Sequence, residues 1–182
     1  MKTLILYKSK TGNTKAYAER IGEGIHGDVF PLDKFKWRNL GGYDAIVFGG
    51  WIMGNTIQGI DKFLQHWKEM ATKNVFVFAV GMSLPTTESR HLLIEQNILD
   101  NYHIRFYQFQ GSFDMSKLRF PYNLLIANSI RATVNSPGAS PEQKALADLK
   151  DHPFVFFDND KVERVLLVLR TLSAELDCKE AK

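Results

Sequence analysis

Only one cysteine, Cys178, occurs in the 182 residues. An internal disulfide is therefore excluded, and a reducing compartment fits. Its place near a polar C-terminal tail reads as an incidental thiol, not a nucleophile. Long apolar runs are missing as well. No uncharged stretch reaches membrane-spanning length, and Leu4-Ile5-Leu6 is too short for the apolar core of a signal peptide. The expectation is a soluble, cytoplasmic protein. Charge of one sign is barely in excess, with 23 Lys and Arg against 20 Asp and Glu. A net charge of +3 is too small to imply nucleic acid. His66, His91 and His103 lack metal-ligand spacing, and no Ser-His-Asp or Cys-His arrangement stands out. Internal repeats and low-complexity segments are absent.

What is present is a chain of ordinary hydrophobic content, 45%, long enough to bury one full core. Apolar runs at Thr3–Tyr7, Tyr43–Gly49, Asn74–Val80 and Ile104–Gln110 alternate with helical patterns at 14–24, 59–70 and 88–99. Asp28–Pro31 reads as a short edge strand, because proline cannot donate to a central ladder. Strands apolar on both faces, separated by helices, predict an α/β fold with a parallel sheet covered on both sides. Past Gly111 the pattern changes. Residues 112–135 are apolar and aromatic, a capping box at Ser140-Pro141-Glu142-Gln143 opens a short helix to about Lys150, and 152–157 is extended. A last helix follows over 161–176, capped from Asp158. The reading is one domain over 1–182, with 112–152 inserted in or after the last strand.

Three loops fall at the C-terminal ends of these strands, where open parallel sheets bind ligands. The first, Tyr7-Lys8-Ser9-Lys10-Thr11-Gly12-Asn13-Thr14, brings three hydroxyls, a glycine that lets a ligand approach, and the free amides of a helix start. That combination suits a phosphate held by neutral donors. The second, Gly50 to Asn55, carries the flat or soft apolar side chains of Trp51 and Met53. The third is Gly81-Met82-Ser83-Leu84. Together they suit a ring-bearing phosphate ester. Neither G-x-x-x-x-G-K-[ST] nor G-x-G-x-x-G fits the first loop. A phospho-accepting receiver domain would need acids where Lys8-Ser9 and Gly49-Gly50 stand.

Ser9-x-Thr11-Gly12-Asn13-Thr14, directly after the first strand, resembles the FMN phosphate loop of flavodoxins. Gly49-Gly50-Trp51-Ile52-Met53-Gly54-Asn55 is similar to the flavin-facing loop of short-chain clostridial flavodoxins. The layout after Gly111 resembles the flavodoxin-domain group that includes the flavodoxin-like protoporphyrinogen IX dehydrogenases. The resemblance implies a flavodoxin-like, five-stranded parallel sheet of order 2-1-3-4-5 and non-covalently bound FMN. It implies that Ser9, Lys10, Thr11, Gly12, Asn13 and Thr14 surround the phosphate, and that Trp51, Ile52, Met53, Gly54 and Asn55 face the ring. Gly81, Met82 and Ser83 would line its pyrimidine end. The Gly54–Asn55 peptide would turn to accept a hydrogen bond from flavin N5–H on reduction.

Departures from the family are informative. Trp51 stands where flavodoxins place Ser or Thr, so either its indole N–H substitutes or its ring stacks. The third loop lacks the usual aromatic. Flavodoxins are strongly acidic and this chain is not, and Asn55 replaces an acid. Carboxylates disfavour the anionic reduced flavin, so the second potential is expected to lie above that of acidic flavodoxins.

The expected function is electron transfer with a redox partner protein or a small-molecule donor or acceptor. The alternative is an FMN-dependent oxidoreductase acting on an apolar substrate with a quinone acceptor. A fold that has lost its cofactor is the third reading. The bland readings are that the hydroxyls only cap a helix, and that Trp51 and Met53 are core. The apolar insertion either covers the sheet or, with Lys117, Arg119 and Arg131, offers a surface for peripheral membrane contact or an apolar substrate.

Overall fold

In the computed structural model, residues 1–82, 84–134 and 153–180 are described. In chain order the strands are β1 (Thr3–Lys8), β2 (Asp28–Pro31), β3 (Ala45–Met53), β4 (Thr56–Ile57), β5 (Asn74–Gly81), β6 (Ile104–Phe113) and β7 (Phe154–Phe157). The helices are α1 (Asn13–Ile25), α2 (Ile60–Leu64), α3 (Trp67–Met70), α4 (Thr87–Gln96), α5 (Tyr122–Val134) and α6 (Asn159–Glu180). Two compact units are distinguished: Met1–Gly111 with Phe157–Lys182, and Ser112–Phe156.

The first unit holds a parallel sheet of order β2-β1-β3-β5-β6. That is the expected 2-1-3-4-5 order of an α/β, flavodoxin-like fold. The strand count differs from the expected five, because β4 folds back antiparallel on β3 and β7 adjoins β6. In the last residues of β6, which belong to the second unit, Ser112 Oγ accepts from Phe156 N at 3.0 Å and donates to Phe156 O at 3.1 Å.

Alternation along each strand splits the core between the two faces. Leu4, Leu6, Ile46, Phe48, Val75 and Val77 meet Ile60, Phe63, Met70 and Leu93 on one side. Ile5, Val47, Phe76, Phe78 and Phe109 meet Tyr17, Ile21, Val165 and Leu169 of α1 and α6 on the other. Each fully buried side chain of this size contributes roughly 1.5–3 kcal/mol, so both layers are required.

Several boundaries differ from the sequence reading, each for a local reason. Residues 50–58 form no open loop: β3 runs on to Met53 and turns back as β4. The helix expected over 59–70 is two short pieces separated at Gln65-His66, where the His66 ring stacks on Trp37 with centroids 3.7 Å apart. Gly24 lies near the end of α1, as expected, but does not cap it. A Cβ there would lie 2.5 Å from Leu166 Cδ1, so this glycine lets α6 approach, and the helix ends at His26 with φ 52°. α4 stops at Asn97, before Ile98 with φ 49°. The helix expected from Ser140 lies outside the described residues.

Candidate functional site

Parallel register brings the strand ends to one edge. Lys8 pairs with Gly50, Gly50 with Ala79, Trp51 with Val80, and Gly81 with Gln110. The chain leaves β1 toward β2 and returns to β3 on the other side of β1, so strand order reverses between β1 and β3. The crevice at that reversal is bordered by the loop after β1 and the hairpin after β3.

The first loop leaves the helix start open. Gly12 is the N-cap of α1, with φ 98°, no side-chain cap and no acid in the first turn. A Cβ on Gly12 would meet nothing within 4 Å, so the glycine answers a backbone need and faces open space. The first helical bond runs from Ala16 N to Gly12 O at 2.9 Å, which places the amides of Asn13, Thr14 and Lys15 ahead of the ladder. Ser9 Oγ accepts from Gly12 N at 3.1 Å, fixing the turn while its own O–H can still donate. Asn13 Nδ2 donates to Thr11 Oγ1 at 3.4 Å. Thr14 is buried; Lys10, Thr11 and Gly12 are exposed. The donors present, and the absence of carboxylates from this first turn, suit an anion.

The N-cap of α1 is a glycine and so brings no side chain of its own to the helix start, while Ser9 Oγ braces the Gly12 amide just before it. Asn13 serves a second purpose: a Cβ on Gly111 would lie 3.2 Å from Asn13 Nδ2. The bare backbone of Gly111 in β6 therefore makes room for it.

Lys8, at the end of β1, is paired with Asp33, whose other oxygen accepts from Lys62 Nζ at 2.9 Å. These two ammonium groups hold the Asp33 carboxyl below the usual carboxylate range. Lys8 thus brings a compensated charge to the site, not the bare one its sequence position suggests.

The second loop is a hairpin. Ile52 pairs with Ile57 and Met53 with Thr56, leaving Gly54-Asn55 as a two-residue turn. Gly54 has φ 60°, while Asn55 is not among the positive-φ residues. A glycine at the first central position is what a II′ hairpin turn requires. Alternation puts Ile52 with the α4 side of the sheet, packed where a Cβ on Gly81 would fall 2.9 Å from its Cδ1. Trp51 and Met53 consequently project on the α1 side. Trp51 is half-buried and Met53 is 41% exposed, so Met53 is not core.

The third loop begins at half-buried Gly81 and Met82, and Ser83 lies outside the described residues. Met82 O accepts from Gln110 Nε2 at 3.1 Å, so this carbonyl is already engaged. Gln110 O in turn accepts from Tyr17 Oη at 2.6 Å, and Tyr17 Oη accepts from Asp158 N at 2.7 Å. Tyr17 lies between the rings of Phe109 and Phe157, with centroids 4.7 and 4.2 Å away. Burial pushes its phenol up to about 12.

The sequence reading missed Tyr17, Gln110 and Asn97 as supports of these loops. Only Asn97 left a trace, since asparagine is a frequent residue at helix C-termini. Among the described residues no cluster of three metal-ligating side chains exists, and no helix is long and apolar enough to cross a membrane.

A family model described as a flavodoxin domain matches residues 4–137. No curated protein matches at a significant level. Among solved structures, a WrbA-like flavodoxin from Agrobacterium tumefaciens is 19% identical, covering 72% of this chain and 98% of its own, with a TM-score of 0.47. A flavodoxin from the domain Archaea is 20% identical over 60% of this chain and 83% of its own, with a TM-score of 0.45. A flavoprotein from Lactobacillus acidophilus, solved in complex with FMN, is 18% identical over 60% of this chain and 91% of its own, with a TM-score of 0.43.

Proposed function

The chain belongs to the flavodoxin-domain family, and on that premise we propose that it binds FMN non-covalently and transfers electrons through it. The observation that carries this reading is the glycine-capped start of α1 at the β1–β3 reversal, free of acids in its first turn and bordered by the Trp51–Asn55 hairpin. Bound there, FMN supplies reversible one- and two-electron redox chemistry. The chain's part is to bind, orient and tune.

The hydroxyls of Ser9, Thr11 and Thr14 and the amides at the start of α1 would hold the phosphate. Trp51 and Met53, on the α1 face of the hairpin, would flank the ring and exclude water from it. The Gly54 carbonyl would accept from a ring N–H, and glycine's wide backbone range makes its reorientation inexpensive. Gly81 and Met82 would border the far end of the ring. Fluorescence titration of the flavin-free chain with FMN tests the reading. Quenching with one equivalent supports it, and undiminished emission contradicts it.

A second reading rests on the second unit, where Phe120, Leu124, Leu125 and Val155 are exposed. Such apolar surface suits an apolar substrate, oxidised by FMN with a quinone as electron acceptor. Reduction of the bound flavin by an apolar two-electron donor, followed by reoxidation with a soluble quinone, would favour this reading over a pure electron carrier.

A further inference from the structure

Asn97 belongs to none of the three loops, yet its side chain closes on the second. It is the C-cap of α4 and only 4% exposed. Its Oδ1 accepts from Ile57 N at 2.8 Å, and its Nδ2 donates to Asn55 O at 2.8 Å and to Leu93 O at 2.7 Å. One end of the carboxamide faces an N–H and the other faces two carbonyls, so its orientation is fixed and three of its four hydrogen-bonding sites are used.

The two hairpin groups it holds, Asn55 O and Ile57 N, lie on the C-terminal side of the Gly54-Asn55 turn. Ile57 is fully buried and shares a core cluster with Leu93 of α4, so this side of the turn is anchored to the protein body. The other side is different. Gly54 has φ 60°, and a Cβ there would touch nothing within 4 Å. The Gly54–Asn55 peptide is therefore bounded by a permissive glycine before it and a pinned carbonyl after it.

We propose that Asn97 is a positioning residue that restricts movement of the turn to the Gly54–Asn55 peptide, and thereby sets how the ring-facing carbonyl of Gly54 is presented. The inference rests on the FMN reading above. Rotation of one peptide changes Gly54 ψ and Asn55 φ while Asn55 O stays on Asn97. Without the anchor, the whole hairpin tip can adjust, and the carbonyl loses its preorganised place.

Two substitutions test this in the full chain loaded with FMN. Asn97→Asp keeps an acceptor for Ile57 N and loses both donors; Asn97→Leu loses all three bonds. The phosphate contacts lie elsewhere, so FMN should still be taken up. The separation between the two one-electron midpoint potentials should narrow, by about fivefold in the corresponding equilibrium constant for a hydrogen bond worth about 1 kcal/mol. A merely structural role would lower the melting temperature without moving that separation. Amide exchange provides the second readout. Ile57 N–H should be protected in the wild-type chain with and without FMN, and should lose protection about tenfold in Asn97→Leu.

An unchanged separation in both variants overturns the inference, as does an unprotected Ile57 amide in the wild type. If neither variant folds, the wild-type exchange decides alone, by the same criterion. Failure of the wild-type chain to take up FMN overturns the functional reading itself. Uptake with unchanged potentials leaves that reading standing and removes only the role of Asn97.

Discussion

Gly12 and Tyr17 show how single residues set the first loop and the far strand end. Gly12 adopts φ 98° in open space, so any penalty for replacing it comes from the backbone and not from a clash. Gly12→Ala should cost about 1–3 kcal/mol of strain and weaken FMN binding about tenfold, read from a melting curve and a fluorescence titration. Tyr17 Oη bonds both Gln110 O and Asp158 N. Tyr17→Phe should cost about 1–3 kcal/mol through the lost bonds and the unsatisfied buried partners. The pH dependence follows from the raised phenol, about 12 against an ordinary 10. The folded state keeps the proton that the unfolded chain releases, so stability is full below pH 10 and falls as pH rises from 10 toward 12. Tyr43, also raised to about 12 by burial and by its bond to Asp28, adds to the same decline. Denaturant melts at pH 8 and pH 11 should show a smaller loss for Tyr17→Phe than for the wild type. Asp33 acts with the opposite sign. Lowered by Lys8 and Lys62, its carboxyl contributes stability above about pH 4, and this is lost as pH falls through its folded value. Asp33→Asn should remove that part of the acid dependence.

At the scale of elements, glycines divide the legible from the illegible. The apolar runs of β1, β3, β5 and β6 declare themselves because strands buried on both faces need continuous hydrophobic sequence. Gly49-Gly50 reads as punctuation in sequence, and β3 was expected to end there. In the structure these glycines lie inside the strand. A Cβ on Gly49 would fall 2.1 Å from Phe78 Cζ, and one on Gly50 would fall 2.5 Å from Ile57 Cγ2. They are bare because neighbouring side chains fill their space, which no local pattern reports. Gly49→Ala should accordingly destabilise by about 1–3 kcal/mol, a drop of about 2–4 °C in Tm per kcal/mol. The candidate site was legible in part for the same reason. Ser9 to Thr14 are identified by chain-local chemistry after a strand. Asn97, Gln110 and Tyr17 act across 42, 28 and 93 positions of sequence, and only the fold brings them to the loops. Met53 and Gly54 were legible as ring-facing candidates, whereas the hairpin that presents them was not.

At the scale of the molecule, the three loops converge because a parallel sheet aligns the C-terminal ends of β1, β3 and β5. The family match over residues 4–137 and this convergence support the same cofactor. Charge gives the whole-molecule prediction. The chain carries a net +3, and Asn55 stands where the resemblance to short-chain clostridial flavodoxins implies an acid. Fewer carboxylates around the ring mean a smaller penalty on the anionic reduced flavin. The second one-electron potential should therefore lie above that of acidic flavodoxins measured in the same buffer, and Asn55→Asp should lower it. The most direct measurement is the absorbance spectrum of the purified full chain mixed with FMN and freed of excess, followed through reductive titration. The account predicts a yellow protein with one FMN per chain and flavin bands that bleach reversibly. A colourless protein that retains no FMN would contradict it.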